Sequence, residues 1–389
     1  MKTLVHITQY IHPLKGYQEN QFARVHKETF EKVIIICSDY VEIWGSDLKH
    51  NIKELDEAFE QRTGVQIIRL KTFPYSFSGR VFVSGLQRTL NRIKPDVVYS
   101  HSLSAPMTLI TSRWLKRERR KRPVFTILDD HMVFVATENK FSSLFYKLLG
   151  LFFYKRYISV FDKWIAVSEE TKDFIIQKFS QKLNDKIIVI PLGVDLNLFK
   201  HNEQSRIEFR KKYDIPSDYK LIVYTGKRDL FKNPFILVKV LRKLLLADQK
   251  YKLLMVGENV KQYDKRIVEY LHSNPVLINH VILQEPVSNS RLPEIYSSAD
   301  VAIWPNGSSM SMLEAMACGC PVIAPDIKVN RERLSGNRGL LFNNESEDDL
   351  YKKIMELNIK SEEISKNALE WVQNYDWELL GKQSISLST

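Results

Sequence analysis

The sequence predicts an α/β chain folded as two doubly wound, Rossmann-like domains of similar size. Three observations predict it. Short apolar runs without polar alternation recur along most of the chain, as strands buried on both faces do. Helical patterns separate most of them. The rhythm lapses once, around 193–202, where GVDLNLFKHN loses its periodicity, and then restarts. At roughly 100–200 residues per domain, a chain of 389 residues also calls for two.

The elements follow in order. TLVHITQY is the first strand and runs into a loop at 12–16, with a helix over 19–30 behind it. KVIIICSD and VQIIRLKTF are the second and third strands. A helix over 84–92 stops before Pro95, and DVVYSHS is the fourth strand. PVFTILDDH is the fifth, 163–167 the sixth, followed by a helix over 168–179, and KIIVIPLG is the seventh. KLIVYTG opens the second domain. KLLMVGE, HVILQE, VAIWP, CPVIAPD and GLLF are its further strands, with helices at 234–246, 262–272, 292–298, 309–317 and 348–357. A last helix near 361–372 leads into WELLGKQS. The domains are therefore placed at 1–195 and 196–365, with 366–389 as a C-terminal helix crossing back to the first domain.

Hydrophobic residues make up 44% of the chain, enough to fill two cores without a metal or a disulfide. Cys37, Cys318 and Cys320 form no disulfide framework and read as packed free thiols. There is no run of 18 apolar residues, which argues against a spanning helix. The start, MKTLVHITQYIHP, is too short and too polar for a signal peptide.

The net charge of +11 calls for an anionic partner: nucleic acid, a membrane surface or a phosphorylated substrate. No RNA-binding motif accompanies it, which argues against nucleic acid. The charge is concentrated in RWLKRERRKR, from Arg113 to Arg122, which reads as a solvated helix end or as a patch facing anionic lipid. A second stretch, FSSLFYKLLGLFFYKRYISVF from Phe141 to Phe161, is aromatic and apolar with Lys147, Lys155 and Arg156 at its edges. It reads as a buried helix pair or as an interfacial element.

Ligands of open α/β sheets bind beyond the carboxyl ends of the strands, so the loops there carry the candidates. In the loop after the first strand, Gly16 permits close approach to a ligand, and Tyr17, Gln18 and Glu19 offer hydrogen bonds to a sugar. GKRDLFK follows KLIVYTG. Its Gly226, Lys227, Arg228 and Lys232 can cage a diphosphate and stabilise its departure. The segment PNGSSMSMLEAMACGCPVIA follows VAIWP. Asn306, Gly307 and Ser308 form its turn, and the amides near Ser308, Ser309 and Met310 open a helix and can hold phosphate oxygens. Glu314 stands alone among Met, Leu, Ala and Cys. A carboxylate there is costly unless paired or bound to a ligand, and it suits a bidentate grip on two ribose hydroxyls.

LEAMACGCPVIA resembles the signature of the retaining glycosyltransferases of family 4, which have the GT-B fold, two Rossmann-like domains facing each other across a cleft. IAVSEETKDFI, VIPLGVDLNLF, YTGKRDLFK and VSNSRLPEIYSSADVAIWP are similar to further segments of that family, so the resemblance spans nearly the whole chain. It implies sugar transfer from a nucleoside-diphosphate sugar, UDP or GDP, to a glycan or a polyprenol- or lipid-linked acceptor, with no metal required. It implies a first domain that holds the acceptor and a second that holds the donor. Glu314 takes the place of the second glutamate of an E-x7-E motif that binds ribose. Lys232 takes that of a phosphate-binding lysine, and Lys227 or Arg228 that of an arginine. Gly16 falls in the loop near donor phosphate and acceptor.

Two departures stand out. Asn306 occupies the place of the first glutamate of the motif, next to the donor sugar, and Ser308 and Ser309 replace Phe-Gly. In LDDHMVF, Asp129 falls on the family's histidine by strict alignment. His131, with Asp130 as an orienting or acceptor-binding carboxylate, is the favoured alternative, and His101 is another candidate. The resemblance implies a setting at the cytoplasmic face of the cell membrane, in surface polysaccharide or glycolipid assembly. A nucleotide-sugar 2-epimerase of the same fold and a non-catalytic protein binding anionic ligands remain the alternatives.

Overall fold

The computed structural model of the chain describes residues 2–41, 48–73, 80–132, 140–148, 157 and 160–386. Within the aromatic stretch from Phe141 to Phe161, residues 149–156, 158 and 159 lie outside the described residues. Two compact units divide the chain: Met1–Leu192 together with Trp377–Thr389, and Gly193–Asp376. The unit boundary thus falls at 192/193, and residues 366–376 belong to the second unit.

The first unit carries β1 (Thr3–Ile7), β2 (Lys32–Ser38), β3 (Gln66–Leu70), β4 (Val97–His101), β5 (Phe125–Asp130), β6 (Lys163–Ala166) and β7 (Ile187–Val189). They form one parallel sheet in the order β3-β2-β1-β4-β5-β6-β7. Its helices are α1 (Gln18–His26), α2 (Leu48–Thr63), α3 (Leu86–Ile93), α4 (Pro106–Glu118), α5 (Lys140–Leu148) and α6 (Glu169–Lys178). In the second unit, β8 (Lys220–Thr225), β9 (Tyr251–Val256), β10 (Val281–Gln284), β11 (Val301–Ile303), β12 (Val322–Pro325) and β13 (Leu340–Phe342) form a parallel sheet in the order β10-β9-β8-β11-β12-β13. Its helices are α7 (Glu203–Lys212), α8 (Phe235–Leu246), α9 (Lys261–His272), α10 (Leu292–Ser298), α11 (Ser311–Ala317), α12 (Lys328–Leu334) and α13 (Glu347–Val372). A last helix, α14 (Trp377–Ile385), returns to the first unit.

All thirteen strands among the described residues stand where the apolar runs place them. The middle residues of β2 and β9 are buried, which accounts for their apolar runs. Four helices have no counterpart in the periodic reading: α2, α4, α7 and α12. Helix α7 buries only Phe209 and Arg210, so its apolar stripe is too thin to register. The two helices expected at 348–357 and 361–372 are one. Leu350, Ile354, Leu357, Ile364, Ala368 and Val372 keep one buried face through the polar stretch between them, and no glycine or proline interrupts it.

In each sheet the chain builds outward from the first strand to one side and then returns to build on the other. The reversal falls between β1 and β4 in the first unit and between β8 and β11 in the second. Connections leaving neighbouring strands in opposite directions open a crevice at their carboxyl ends, the usual ligand position in such sheets.

Candidate functional site

In the second unit the β8 and β11 loops flank the crevice, and both are tightly determined. Gly226 ends β8 with φ of 149°, as does Gly257 beyond β9. A Cβ on Gly257 would lie 1.9 Å from the Gly226 carbonyl oxygen, so the backbones meet directly and only glycine fits. The Tyr224 hydroxyl donates to the Lys227 carbonyl at 2.7 Å, and the Lys232 amide donates to Asp229 Oδ1 at 2.7 Å. Across the crevice, Gly307 takes a left-handed φ of 71°. Its carbonyl accepts from Asn330 Nδ2 at 3.0 Å, and the buried Asn330 also reaches the Pro325 carbonyl at 2.9 Å. Asn306 joins the two loops: its Nδ2 donates to the Phe231 carbonyl at 2.6 Å.

Arg228 does not face the crevice as a free cation. Its side chain is 1% exposed, and Nε and Nη2 donate to the Asp264 carboxylate at 2.9 and 2.8 Å. Nη1 donates to the carbonyls of Gly257 and Gln284, each at 2.9 Å. The guanidinium thus braces the ends of β9 and β10, and these contacts lend no support to the expectation that it grips a diphosphate. Lys227 is exposed and pairs with Glu258 at 3.4 Å. Lys232 lies over the Phe231 ring, 5.4 Å from its centroid.

A cation that periodicity and motif both passed over is Arg333, on α12. Its Nη1 donates to Ser308 Oγ at 2.7 Å and to the Ser309 carbonyl at 2.9 Å. Burial holds its pKa below the usual arginine value, with Tyr375 and Glu332 opposing. The signal available in the sequence was slight: an arginine eight residues beyond a strand end, in a stretch rich in charge.

Glu314 projects from α11, whose Met312, Leu313, Ala315, Met316 and Ala317 are buried. Its Oε2 accepts from the Tyr296 hydroxyl at 3.4 Å, and that hydroxyl lies 2.8 Å from Thr225 Oγ1 at the end of β8. Burial pushes the carboxyl up to about 7, against hydrogen bonds from Ser311 and Tyr296. A carboxylate held by hydroxyls alone keeps acceptor capacity for further hydroxyl donors.

In the first unit, the turn after β1 is made by 12–15, with the Lys15 amide donating to the His12 carbonyl at 3.1 Å. Asn20 clamps it through Nδ2 to the carbonyls of His12 and Lys15, at 2.8 and 3.0 Å. Gly16 is not among the residues of positive φ. Tyr17 is exposed and Gln18 buried, with both amide atoms of Gln18 lacking a hydrogen bond.

The structure separates Asp130 from His131. Asp130 is 1% exposed, its Oδ1 accepts from the Leu103 amide at 3.2 Å, and burial raises its carboxyl to about 7. His131 is exposed. The carboxylate with a histidine partner is Asp129, whose Oδ2 lies 2.7 Å from His101 Nδ1. Adjacent residues of a strand point to opposite faces, so Asp129 and Asp130 cannot share one partner. Two more histidines that the sequence did not single out, His6 and His26, extend this cluster beneath the β1/β4 crevice. Among the described residues, no group of three or more His, Cys, Asp or Glu is gathered as a metal site.

Comparison with known proteins agrees with these two units. The family described as Glycosyltransferase Family 4 matches residues 41–198, and the family described as Glycosyl transferases group 1 matches residues 205–371. The chain is a family-4-like glycosyltransferase. A D-inositol 3-phosphate glycosyltransferase of Xylanimonas cellulosilytica is 29% identical over 174 residues, 43% of this chain and 41% of the relative. The chain thus matches less than half the length of that relative. An uncharacterized glycosyltransferase of Methanocaldococcus jannaschii is 24% identical over 74% of each chain. Among solved structures, HepE of Anabaena in complex with UDP superposes with a TM-score of 0.76 at 16% identity over 100% of both chains. A glycosyltransferase of Rickettsia africae gives 0.73 at 18% identity, covering 99% of this chain and 97% of that one. The chain therefore has the GT-B fold.

Proposed function

We propose that this chain transfers a sugar from a nucleoside-diphosphate donor to a hydroxyl of a glycan or lipid-linked acceptor, with retention at the anomeric carbon, in the assembly of surface polysaccharide or glycolipid. Glu314 carries the donor half of this reading. It is a partly buried carboxylate beside a topological switch point, held only by hydroxyl groups, and a ribose presents two adjacent hydroxyls as donors. The solved HepE complexes with UDP and with UDP-glucose make UDP the first donor to test.

The diphosphate needs cations, and with Arg228 committed to Asp264 the role passes to Lys232, Lys227 and Arg333. Amides near Ser308, Ser309 and Met310 would add to them. Positive charge placed where the leaving phosphate gains negative charge lowers the barrier to departure. Asn306, with Nδ2 holding the Phe231 carbonyl, keeps its amide oxygen for the donor sugar. In the first unit, the loop at Gly16, the unbonded amide of Gln18 and the unbonded oxygen of Asp130 would take the acceptor hydroxyls, with the buried His101–Asp129 pair beneath them. His131 is the exposed histidine of the same strand end.

Calorimetry with UDP and GDP tests the reading. Glu314→Ala should weaken binding of the preferred diphosphate about 100-fold, two charge-assisted hydrogen bonds at roughly 1.5 kcal/mol each. Unchanged affinity removes the ribose assignment. Release of nucleoside diphosphate that rises only when acceptor is added marks a transferase, whereas interconversion of the sugar without release marks an epimerase.

A further inference from the structure

We propose that helix α14 sets the protonation state of His101 through a one-way chain of three buried imidazoles, so that His6 and His26 are positioning residues for the His101–Asp129 pair. The chain is continuous. His26 Nε2 lies 3.0 Å from the Gly381 carbonyl oxygen of α14, and His26 Nδ1 lies 3.0 Å from His6 Nε2. His6 Nδ1 lies 2.9 Å from His101 Nε2, and His101 Nδ1 lies 2.7 Å from Asp129 Oδ2. None of the four side chains is more than 3% exposed. Tyr99 stacks on all three imidazoles, with centroids 4.6 to 5.9 Å away.

The direction of the chain follows from what each end can do. A carbonyl oxygen only accepts, so His26 Nε2 must carry the hydrogen. The Ser384 hydroxyl, 2.9 Å from the same nitrogen, donates to the Gly381 carbonyl at 2.8 Å and so accepts from the imidazole too. Neutral His26 then has a bare Nδ1, which requires the hydrogen of His6 on Nε2. Neutral His6 has a bare Nδ1, which requires a hydrogen on His101 Nε2. The last nitrogen, His101 Nδ1, faces a carboxylate oxygen that also only accepts when ionised. One further proton must lie between them, and it makes His101 an imidazolium or Asp129 an acid.

The surroundings place that proton on His101. Burial opposes the charged imidazole, but the Asp129 carboxylate outweighs it and raises His101, while His101 draws Asp129 below the usual carboxylate range despite burial. Glu19 on α1 adds to the first effect, and His131 to the second. The other titratable groups nearby are Tyr99 on β4 and Asp130 on β5. His6 and His26 stay neutral because burial and their neighbours lower them. A carbonyl on the last helix therefore holds a buried ion pair at the ends of β4 and β5, beside the β1/β4 crevice. This inference stands on the first unit alone and does not depend on the identity of the donor.

Nitrogen-proton NMR correlation of the full chain labelled with 15N-histidine tests it. At neutral pH, His6 and His26 should be neutral with the hydrogen on Nε2, and His101 protonated on both nitrogens. A hydrogen on Nδ1 of His6 or His26, or a neutral His101, overturns the proposal. In His26→Phe, His6 is free to move its hydrogen to Nδ1 and donate to His101, which then satisfies Asp129 as a neutral ring. The His101 titration midpoint should fall by about one pH unit or more, a tenfold change in proton affinity. A midpoint that stays in place overturns the directional coupling. Ser384→Ala keeps the Gly381 carbonyl and should leave all three protonation patterns as they are. A changed pattern in that variant overturns the assignment of control to the carbonyl.

Discussion

Arg228 and Asp264 form an ion pair with the arginine 1% exposed, and burial on that scale predicts a structural phenotype. Arg228→Ala leaves a carboxylate and the Gly257 and Gln284 carbonyls without their donor and should lower unfolding stability by about 3–5 kcal/mol in a denaturant titration. Lys232→Ala breaks no carboxylate pair and should change stability by no more than about 0.5 kcal/mol. Arg333→Gln, by contrast, should weaken UDP by tenfold or more, about 1.4 kcal/mol, while leaving uridine unaffected. Equal loss for both ligands in calorimetry would assign Arg333 to shaping the Ser308–Ser309 turn instead. Glu314 supplies a pH signature. Its carboxyl titrates at about 7 in the free protein, and accepting two hydroxyl hydrogens requires the ionised form. Diphosphate affinity should therefore rise as pH increases through about 7, and Glu314→Gln should flatten that rise.

Helix α14 is the element whose docking is most exactly specified. Gly381 faces α1 so closely that an added Cβ would sit 2.9 Å from Val25 Cβ and Cγ1. Gly381→Ala should thus cost about 1–3 kcal/mol by overpacking, read as a lowered Tm of the first unit. The same interface carries Arg24–Glu378 at 2.5 Å, Lys382–Glu28 at 2.9 Å and the edge of Trp377 against Phe22. It should also be acid-labile. His26 is lowered to about 3 and His6 well below its ordinary value, both by burial first. The unfolded chain binds these protons from about pH 6.5 and the folded chain does not, so the stability is complete above 6.5 and declines as pH falls toward 3. The decline should reach a few kcal/mol, and His26→Phe should make thermal unfolding less pH-dependent over that window. The strands of this chain were legible from their apolar runs, but α4, whose buried face mixes Thr108, Thr111 and Ser112 with Met107, Trp114 and Leu115, was not. Helix α7, with two buried residues, was not, and neither was the continuity of α13 through its polar middle.

For the whole molecule, the basic run from Arg113 to Arg122 is now placed on the end of α4 and the turn after it. Arg113, Lys116, Arg117, Arg120 and Lys121 are exposed. Arg119 is committed inward, to the Val124 carbonyl, Thr126 and Asp162, and Arg122 pairs with Glu118 at 2.8 Å. No helix among the described residues is long and apolar enough to cross a membrane. We propose that the exposed cations attract an anionic bilayer surface, at about 1 kcal/mol each. Reversing Arg113, Lys116, Arg117 and Arg120 to glutamate should then abolish sedimentation with phosphatidylserine vesicles at low salt. Unchanged sedimentation would remove membrane attraction from this patch.

The sequence by itself determined the two sheets, because a strand buried on both faces must be apolar throughout, and that pattern is local. It also marked Glu314, since a lone carboxylate in an apolar helix is visible wherever the helix packs. Only the tertiary structure decided which cations and histidines are available. Arg228 and Lys232 look equivalent along the chain, yet Asp264, 36 residues beyond Arg228, takes one and not the other. His6, His26, His101 and Asp129 lie on four separate elements, and their partner Gly381 is 355 residues from His26. Charge state and pairing depend on neighbours brought together by the fold, and no pattern of spacing records them.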